Sequence, residues 1–303
     1  AEVAQARQRL AGVTSTDMMY HEIGELLATL HTSHTAIYGL DDPFYHFIGS
    51  TFGNNAPGYE RLFGTAPMRW ADPGFRVMEN SDGVFVESVL EGDVADKAGM
   101  KIGDRILAVD GRPWGGMKVF AQMAGQKVTM RVQRTRESQP IVVTLIPHVV
   151  NPQDAFVAAD RASARIIERN GKRIGYVHLW AFSDPRVYDV FSEVLHAPLR
   201  RAQAIIIDLR DGIGGDYPRL LYPLLPGVPK VEFTDREGRR YTVGGPFSKP
   251  MTAIINERAR STKELYAYGL RKLGATLVGI RTEARCVYDT GDTRPSKNQC
   301  RAG

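Results

Sequence analysis

Cysteine is almost missing from this chain. Its 303 residues include two, Cys286 and Cys300, both near the C-terminal end. That excludes a small scaffold stapled by disulfides, because nothing in the body of the chain can be bridged. A single bridge between the two remains open, and a cysteine-free body is compatible with an oxidising compartment. Long apolar runs are missing too. No stretch approaches the roughly 18 apolar residues of a membrane-crossing helix, so no membrane span is expected. Charge of one sign is scarce: the formal net charge is +5, and the basic residues are scattered in pairs such as Arg200-Arg201 and Arg239-Arg240. Without a basic stripe interleaved with aromatics, nucleic acid is excluded as a partner. No signal-peptide pattern is present. The chain opens Ala1-Glu2-Val3, as a mature secreted protein does and as a trimmed chain does, and the expectation is an extracytoplasmic protein, periplasmic or secreted. His31 and His34 are joined by no further ligands at metal-site spacing, so neither metal nor cofactor is expected.

What is present falls into three parts. Residues 1–71 read as helical and then irregular. Met19, Ile23, Leu26, Leu27 and Leu30 share one helical face, with Ser15, Thr16 and Asp17 as N-cap candidates. Asp41-Asp42-Pro43 reads as a turn. Residues 72–150 read as a β-rich module. Short strands are expected at 84–86, 106–109, 128–132 and 141–145. Between them lie a short helix ending at Gly99, a Gly103-Asp104 turn and an Asp110-Gly111 hairpin. Residues 151–303 alternate strand and helix: strands at 173–179, 204–207, 251–255 and 275–279, helices at 187–199 and 264–273. That alternation predicts an α/β layer with parallel pairing. The fold class expected for the whole is α+β and multidomain: a helical segment, a β-rich domain, and an α/β core with a partly parallel sheet.

Two junctions in the last part carry chemistry. The apolar run Ala204 to Ile207 reads as a strand buried on both faces. It ends in Asp208-Leu209-Arg210-Asp211-Gly212-Ile213-Gly214-Gly215. Glycines there permit positive φ and close approach of another molecule to the main chain. A rigid strand aiming bare N–H groups into a cleft suits an oxyanion site, a phosphate site or a plain turn. The second junction is Arg260-Ser261-Thr262-Lys263-Glu264, between a buried strand and a helix. Ser261 is read either as an N-cap in a capping box with Glu264, or as a nucleophile at a helix N-terminus, where developing negative charge is favoured.

The run from Val84 to Gly111 resembles a PDZ domain of the bacterial type, in its spaced Val, Gly, Ala-Gly, Gly-Asp-x-Ile and Val-x-Gly positions. PDZ domains add an extended peptide as a strand and capture its C-terminal carboxylate on backbone N–H groups. The resemblance puts the carboxylate loop at Pro73-Gly74-Phe75-Arg76, with Gly74 and Phe75 as peptide-binding residues. The loop lacks the usual Gly-Leu-Gly-Phe form.

The order of helices, PDZ-like module and α/β core, with the two junctions, resembles the tail-specific (C-terminal processing) serine peptidases over residues of about 15 to 282. The resemblance implies Ser261 as nucleophile, three residues before Glu264, and an oxyanion hole from the N–H groups of Gly214 and Thr262. Many members place a lysine base about 25 residues after the serine. The aligned residue here is Arg285, which stays protonated and cannot act as a base; Lys263 lies too near the helix start to replace it. The tricorn-like branch uses a histidine preceded by a serine, and Ser33-His34 matches that pattern. The implied function is a serine endopeptidase acting on unfolded or C-terminally exposed polypeptides. From Glu283 onward the chain is polar and departs from the family's apolar strands. That departure and the missing lysine keep open a second function, an inactive peptidase fold serving as a peptide-binding or scaffold module.

Overall fold

A computed structural model gives the positions of residues 2–30, 34–39, 42–52, 68–215, 218–225, 230–244 and 248–282. His31, Ser33, Arg285, Cys286, Cys300 and the polar tail from Glu283 lie outside the described residues. The chain divides into two compact units, Ala1–Val89 with Val94–Pro152, and Leu90–Asp93 with Gln153–Gly303. No helix among the described residues is long and apolar enough to cross a membrane.

The first unit begins with helices α1 (Glu2–Leu10), α2 (Thr16–Ala28) and α3 (Pro43–Phe52). Ser15 caps α2, its hydroxyl accepting the Met18 N–H at 3.2 Å. Helix α3 corrects the turn expected at Asp41-Asp42-Pro43. The Asp42 carboxylate accepts the Phe44 N–H at 2.8 Å, and Pro43 is the first helical residue. Proline has no N–H to lose there and its φ is already helical, so the same residues that punctuate a turn begin a helix.

Strand β1 (Trp70–Asp72) pairs antiparallel with β7 (His148–Val150). Between them runs an antiparallel five-stranded sheet in the order β2 (Phe75–Asn80), β3 (Gly83–Val89), β4 (Arg105–Val109), β5 (Val128–Gln133), β6 (Ile141–Leu145). The short helix α4 (Val94–Lys97) follows β3, and a 3₁₀ turn (Met117–Gln122) follows β4. Along β5 the alternation is clean: Val128, Met130 and Val132 are buried while Thr129 and Arg131 are exposed, as a sheet packed on one face requires. Those three join Phe75, Val86, Met100 and Phe120 in the core.

The second unit contains α5 (Pro152–Ser163), β8 (Arg165–Arg169), β9 (Lys172–His178), β10 (Ala181–Phe182), α6 (Arg186–His196), β11 (Ala204–Asp208), β12 (Ile213–Gly215), α7 (Pro218–Leu221), β13 (Lys230–Thr234), β14 (Arg240–Gly244), β15 (Met251–Ile255), α8 (Thr262–Lys272) and β16 (Thr276–Gly279). Its main sheet has the order β16-β15-β11-β9-β8. The pairs of β11 with β9, β11 with β15 and β15 with β16 are parallel, and β8 joins β9 antiparallel. The sheet is therefore partly parallel, as expected. Val177, Ile205, Ile207 and Ala253 fill its centre, and α6 lays Val187, Val190, Phe191, Val194 and Leu195 against the same cluster. Their i, i+3, i+4, i+7, i+8 spacing is the stripe of a helix with one buried face.

Because β9, β11 and β15 are parallel, their C-terminal ends emerge on one edge of the sheet. Polar residues that follow such ends converge in open α/β sheets. Here the convergence brings together His178, the Asp208–Gly215 loop and the Asn256–Ser261 loop.

Candidate active site

The glycine loop leaves β11 at Asp208, which is fully buried and ionically satisfied. Its carboxylate accepts from the Tyr176 hydroxyl at 2.8 Å and from the Arg210 guanidinium at 2.6 Å. Burial alone would raise its pKa. The hydrogen bonds and charge of Arg210, together with His178, outweigh that and hold it below the usual carboxylate range. The loop then turns through Asp211 at φ 54° and Gly212 at φ 66°. A Cβ on Gly212 would run into the Trp180 carbonyl, so only glycine fits. Asn256 ties the loop to the end of β15, donating from Nδ2 to Asp211 Oδ1 at 3.0 Å and accepting the Asp211 N–H at 3.2 Å.

Gly214 is the point of closest approach. An added Cβ would lie 2.8 Å from Ser261 Cβ and 2.9 Å from Thr262 N. Thr262 is the first residue of α8, a position whose N–H has no acceptor within the helix. The Thr262 hydroxyl accepts the Gly215 N–H at 2.5 Å, fastening β12 to the start of α8. The structure therefore brings Gly214, Ser261 and Thr262 together.

Ser261 is not a capping residue in the ordinary sense. Its side chain makes no cap hydrogen bond, and its backbone sits at φ 61°, ψ −135°, a region that L-residues rarely occupy. The Glu264 N–H is instead satisfied by the Ser261 carbonyl at 2.9 Å. The capping-box reading is corrected, because the Ser261 hydroxyl makes no cap hydrogen bond to the helix it precedes. Non-glycine residues held in such conformations cost about 1–3 kcal/mol and cluster at functional sites.

Two cations hold the loop from either side. Lys263, buried, donates from Nζ to the carbonyl oxygens of Asp211 at 2.6 Å, Leu209 at 3.3 Å and Arg210 at 3.5 Å. Burial lowers its pKa to about 8, against the pull of Asp160, Asp211 and Asp208. His178, at the end of β9, has Nδ1 2.9 Å from Glu91 Oε1 and Nε2 2.9 Å from the Arg210 carbonyl. A carbonyl on one side and a carboxylate on the other are both acceptors, an arrangement that favours the doubly protonated ring. Burial works against that charge. The hydrogen bond and charge of Glu91, with Asp208, more than offset it and raise the pKa. The other oxygen of Glu91 accepts from Trp180 Nε1 at 2.7 Å, and the Trp180 ring lies 4.1 Å from His178. Beneath them Asp160 accepts the Trp180 N–H at 2.7 Å through Oδ1, while its Oδ2 has no partner. Desolvation raises its pKa to about 7.

His178, Glu91 and Asp160 were not singled out from sequence. The one local signal is a histidine closing the apolar run Tyr176 to Trp180. Of the other expected site residues, His34 is an exposed residue of the first unit and Ser33 is outside the described set. Gly74 and Phe75 stand at the head of β2, where the Gly74 N–H is bound by the Asp72 carboxylate at 2.7 Å. Among the described residues no group of three or more His, Cys, Asp or Glu is placed to hold a metal ion.

Residues 173–293 match the model of peptidase family S41, and residues 85–134 match that of a PDZ domain. The carboxyl-terminal-processing protease of Picosynechococcus sp. is 26% identical over 287 residues, 88% of this chain and 63% of that protein. The carboxy-terminal processing protease CtpA of Bacillus subtilis is 22% identical over 274 residues, 85% of this chain and 56% of that protein. The chain thus spans about three-fifths of the length of these curated relatives. Among solved structures, the photosystem II D1 C-terminal processing protease aligns over 92% of this chain and 74% of its own, at 19% identity and a TM-score of 0.46. The S41 model thus covers residues 173–293, which hold the glycine loop and Ser261, and the PDZ model covers residues 85–134.

Proposed function

We propose that this protein is a serine endopeptidase acting on unfolded or C-terminally exposed polypeptides outside the cytoplasm. The observation that carries the reading is the approach of the Gly214 main chain to Ser261 and Thr262, with Ser261 held at φ 61° and free of capping duty. Ser261 Oγ attacks the scissile carbonyl carbon and yields its proton to His34, which Ser33 orients. The Gly214 and Thr262 N–H groups receive the tetrahedral oxyanion. Collapse expels the amine with the proton from His34, and water then hydrolyses the acyl-enzyme. Lys263 is committed to three carbonyls, which supports a base from elsewhere. The PDZ domain offers the polypeptide, with Gly74 and Phe75 at the head of its binding strand.

A fluorophosphonate probe tests this directly. The expected result is covalent labelling at Ser261, abolished in Ser261→Ala and slowed by on the order of 10²-fold or more in His34→Ala, with casein cleavage following the same order. A folded wild-type chain that neither labels nor cleaves overturns the peptidase reading.

A further inference from the structure

A PDZ domain reads a peptide terminus through consecutive N–H groups of the loop before its binding strand, where a carboxylate is cradled by the main chain. In this chain that loop is Asp72-Pro73-Gly74-Phe75, and two of its donor positions, Pro73 and Gly74, are closed. Pro73 has no N–H. The Gly74 N–H, on a residue at φ 78°, donates to Asp72 Oδ1 at 2.7 Å. The nearby cation Arg76 is engaged by the same carboxylate, Nη1 to Oδ1 and Nη2 to Oδ2, each at 2.9 Å. Arg76 is fixed further by its bond to the Phe75 carbonyl at 2.8 Å and by the Trp70 ring, 5.0 Å away. Asp72 is fully buried and is held in β1 opposite His148, so its side chain is not a mobile plug.

We infer that Asp72 stands in for the peptide carboxylate, and that this PDZ domain therefore selects extended internal segments rather than free C-termini. This deepens the proposed function by naming the substrate class, and rests on that reading. A second carboxylate entering the loop would meet no free Gly74 donor and a neutralised arginine. It would also come to rest beside a desolvated like charge, where repulsion is weakly screened. Strand addition itself is untouched. β2 lies at the edge of its sheet and is paired only with β3 among the described residues, so its outer main-chain groups suit an added strand that does not end there.

The test is binding, read by fluorescence anisotropy on the full chain bearing Ser261→Ala, so that turnover plays no part. Two dye-labelled peptides of one extended apolar sequence are compared, one ending in a free acid and one in a carboxamide. The expected dissociation constants agree within about twofold. In Asp72→Ala, Gly74 and Arg76 are released and the acid form should gain about tenfold or more over the amide. Asp72→Asn keeps an acceptor for Gly74 without the charge and should fall between; it serves if the alanine variant does not fold. Binding of the acid about tenfold tighter than the amide by the unaltered loop overturns the inference, as does failure to bind either peptide. If the hydrolytic reading alone is wrong, Ser261 goes unlabelled while this binding pattern persists.

Discussion

At Ser261 the backbone conformation and the side-chain identity are in conflict, and the conflict is informative. At φ 61° and ψ −135° the Cβ crowds the main chain, which glycine would avoid at no steric cost. The position nonetheless carries a hydroxyl that caps nothing. The surrounding bonds hold the residue there: Gly215 to Thr262 on one side, and Glu264 N–H to the Ser261 carbonyl on the other. Strain kept by its surroundings is reversible on paper. Ser261→Gly should be more stable than Ser261→Ala by roughly 1 kcal/mol, because only glycine relieves the positive φ. Urea unfolding of the two variants checks this. Equal midpoints, or a more stable alanine variant, would show that the turn is relaxed. Under the proposed function neither variant labels, so stability and activity part company at this residue.

At the scale of elements, the glycine loop is a piece of backbone held in shape by cations from two neighbours, His178 at the end of β9 and Lys263 in the first turn of α8. Three carbonyls in succession, Leu209 to Asp211, point at Lys263 Nζ. A charge-assisted hydrogen bond contributes about 1.5–3 kcal/mol, and a buried acceptor left without one costs a similar amount. Lys263→Met keeps the buried stem and removes the donors. Labelling of Ser261 should slow by about 10–100-fold while far-UV circular dichroism is unchanged; an unaltered rate would mean the loop holds itself. The parts of this arrangement differ in how far the sequence discloses them. Strands β6 and β15 were read to the residue, since apolar runs bounded by turn residues are local signals. The glycine loop and the Ser261 junction were legible for the same reason. Helix α5 was not, because Phe156 and Val157 are its only large apolar residues, and α3 was hidden behind a proline read as a turn. The His178–Glu91 pair joins residues 87 apart in sequence. No periodicity or motif encodes such a contact; it exists only once β9 is placed beside the chain entering from Leu90.

Across the second unit, the buried titratable groups set a stability profile with an unusual sign. Asp160 holds its proton up to a pH of about 7 in the folded chain, against 3.8 for the free side chain. Between those values the folded state binds a proton that the unfolded state has lost, so stability falls as pH rises. His178 acts in the same direction further up. Its folded pKa lies above 6.5, so its contribution is complete below that value and is lost as pH climbs through the folded pKa. Lys263 opposes them later. With a folded value of about 8 against 10.5 unfolded, the unfolded chain is the better proton binder in that interval, and stability recovers with rising pH. Asp208, held below 3.8, adds stability that is lost only in stronger acid. The second unit should therefore be most stable near pH 4 and weakest near pH 8, with a difference on the order of a few kcal/mol, since one pH unit of differential protonation is worth about 1.4 kcal/mol. Hydrogen-exchange protection of β9 and β11 amides, measured from pH 4 to pH 9, reads the profile within this unit. In Asp160→Asn the decline between pH 5 and pH 7 should flatten, while the later decline from His178 persists. Protection that rises steadily from pH 5 to pH 8 in the wild type would mean that Asp160 is ionised in the fold and that the imidazolium is not what holds the Arg210 carbonyl.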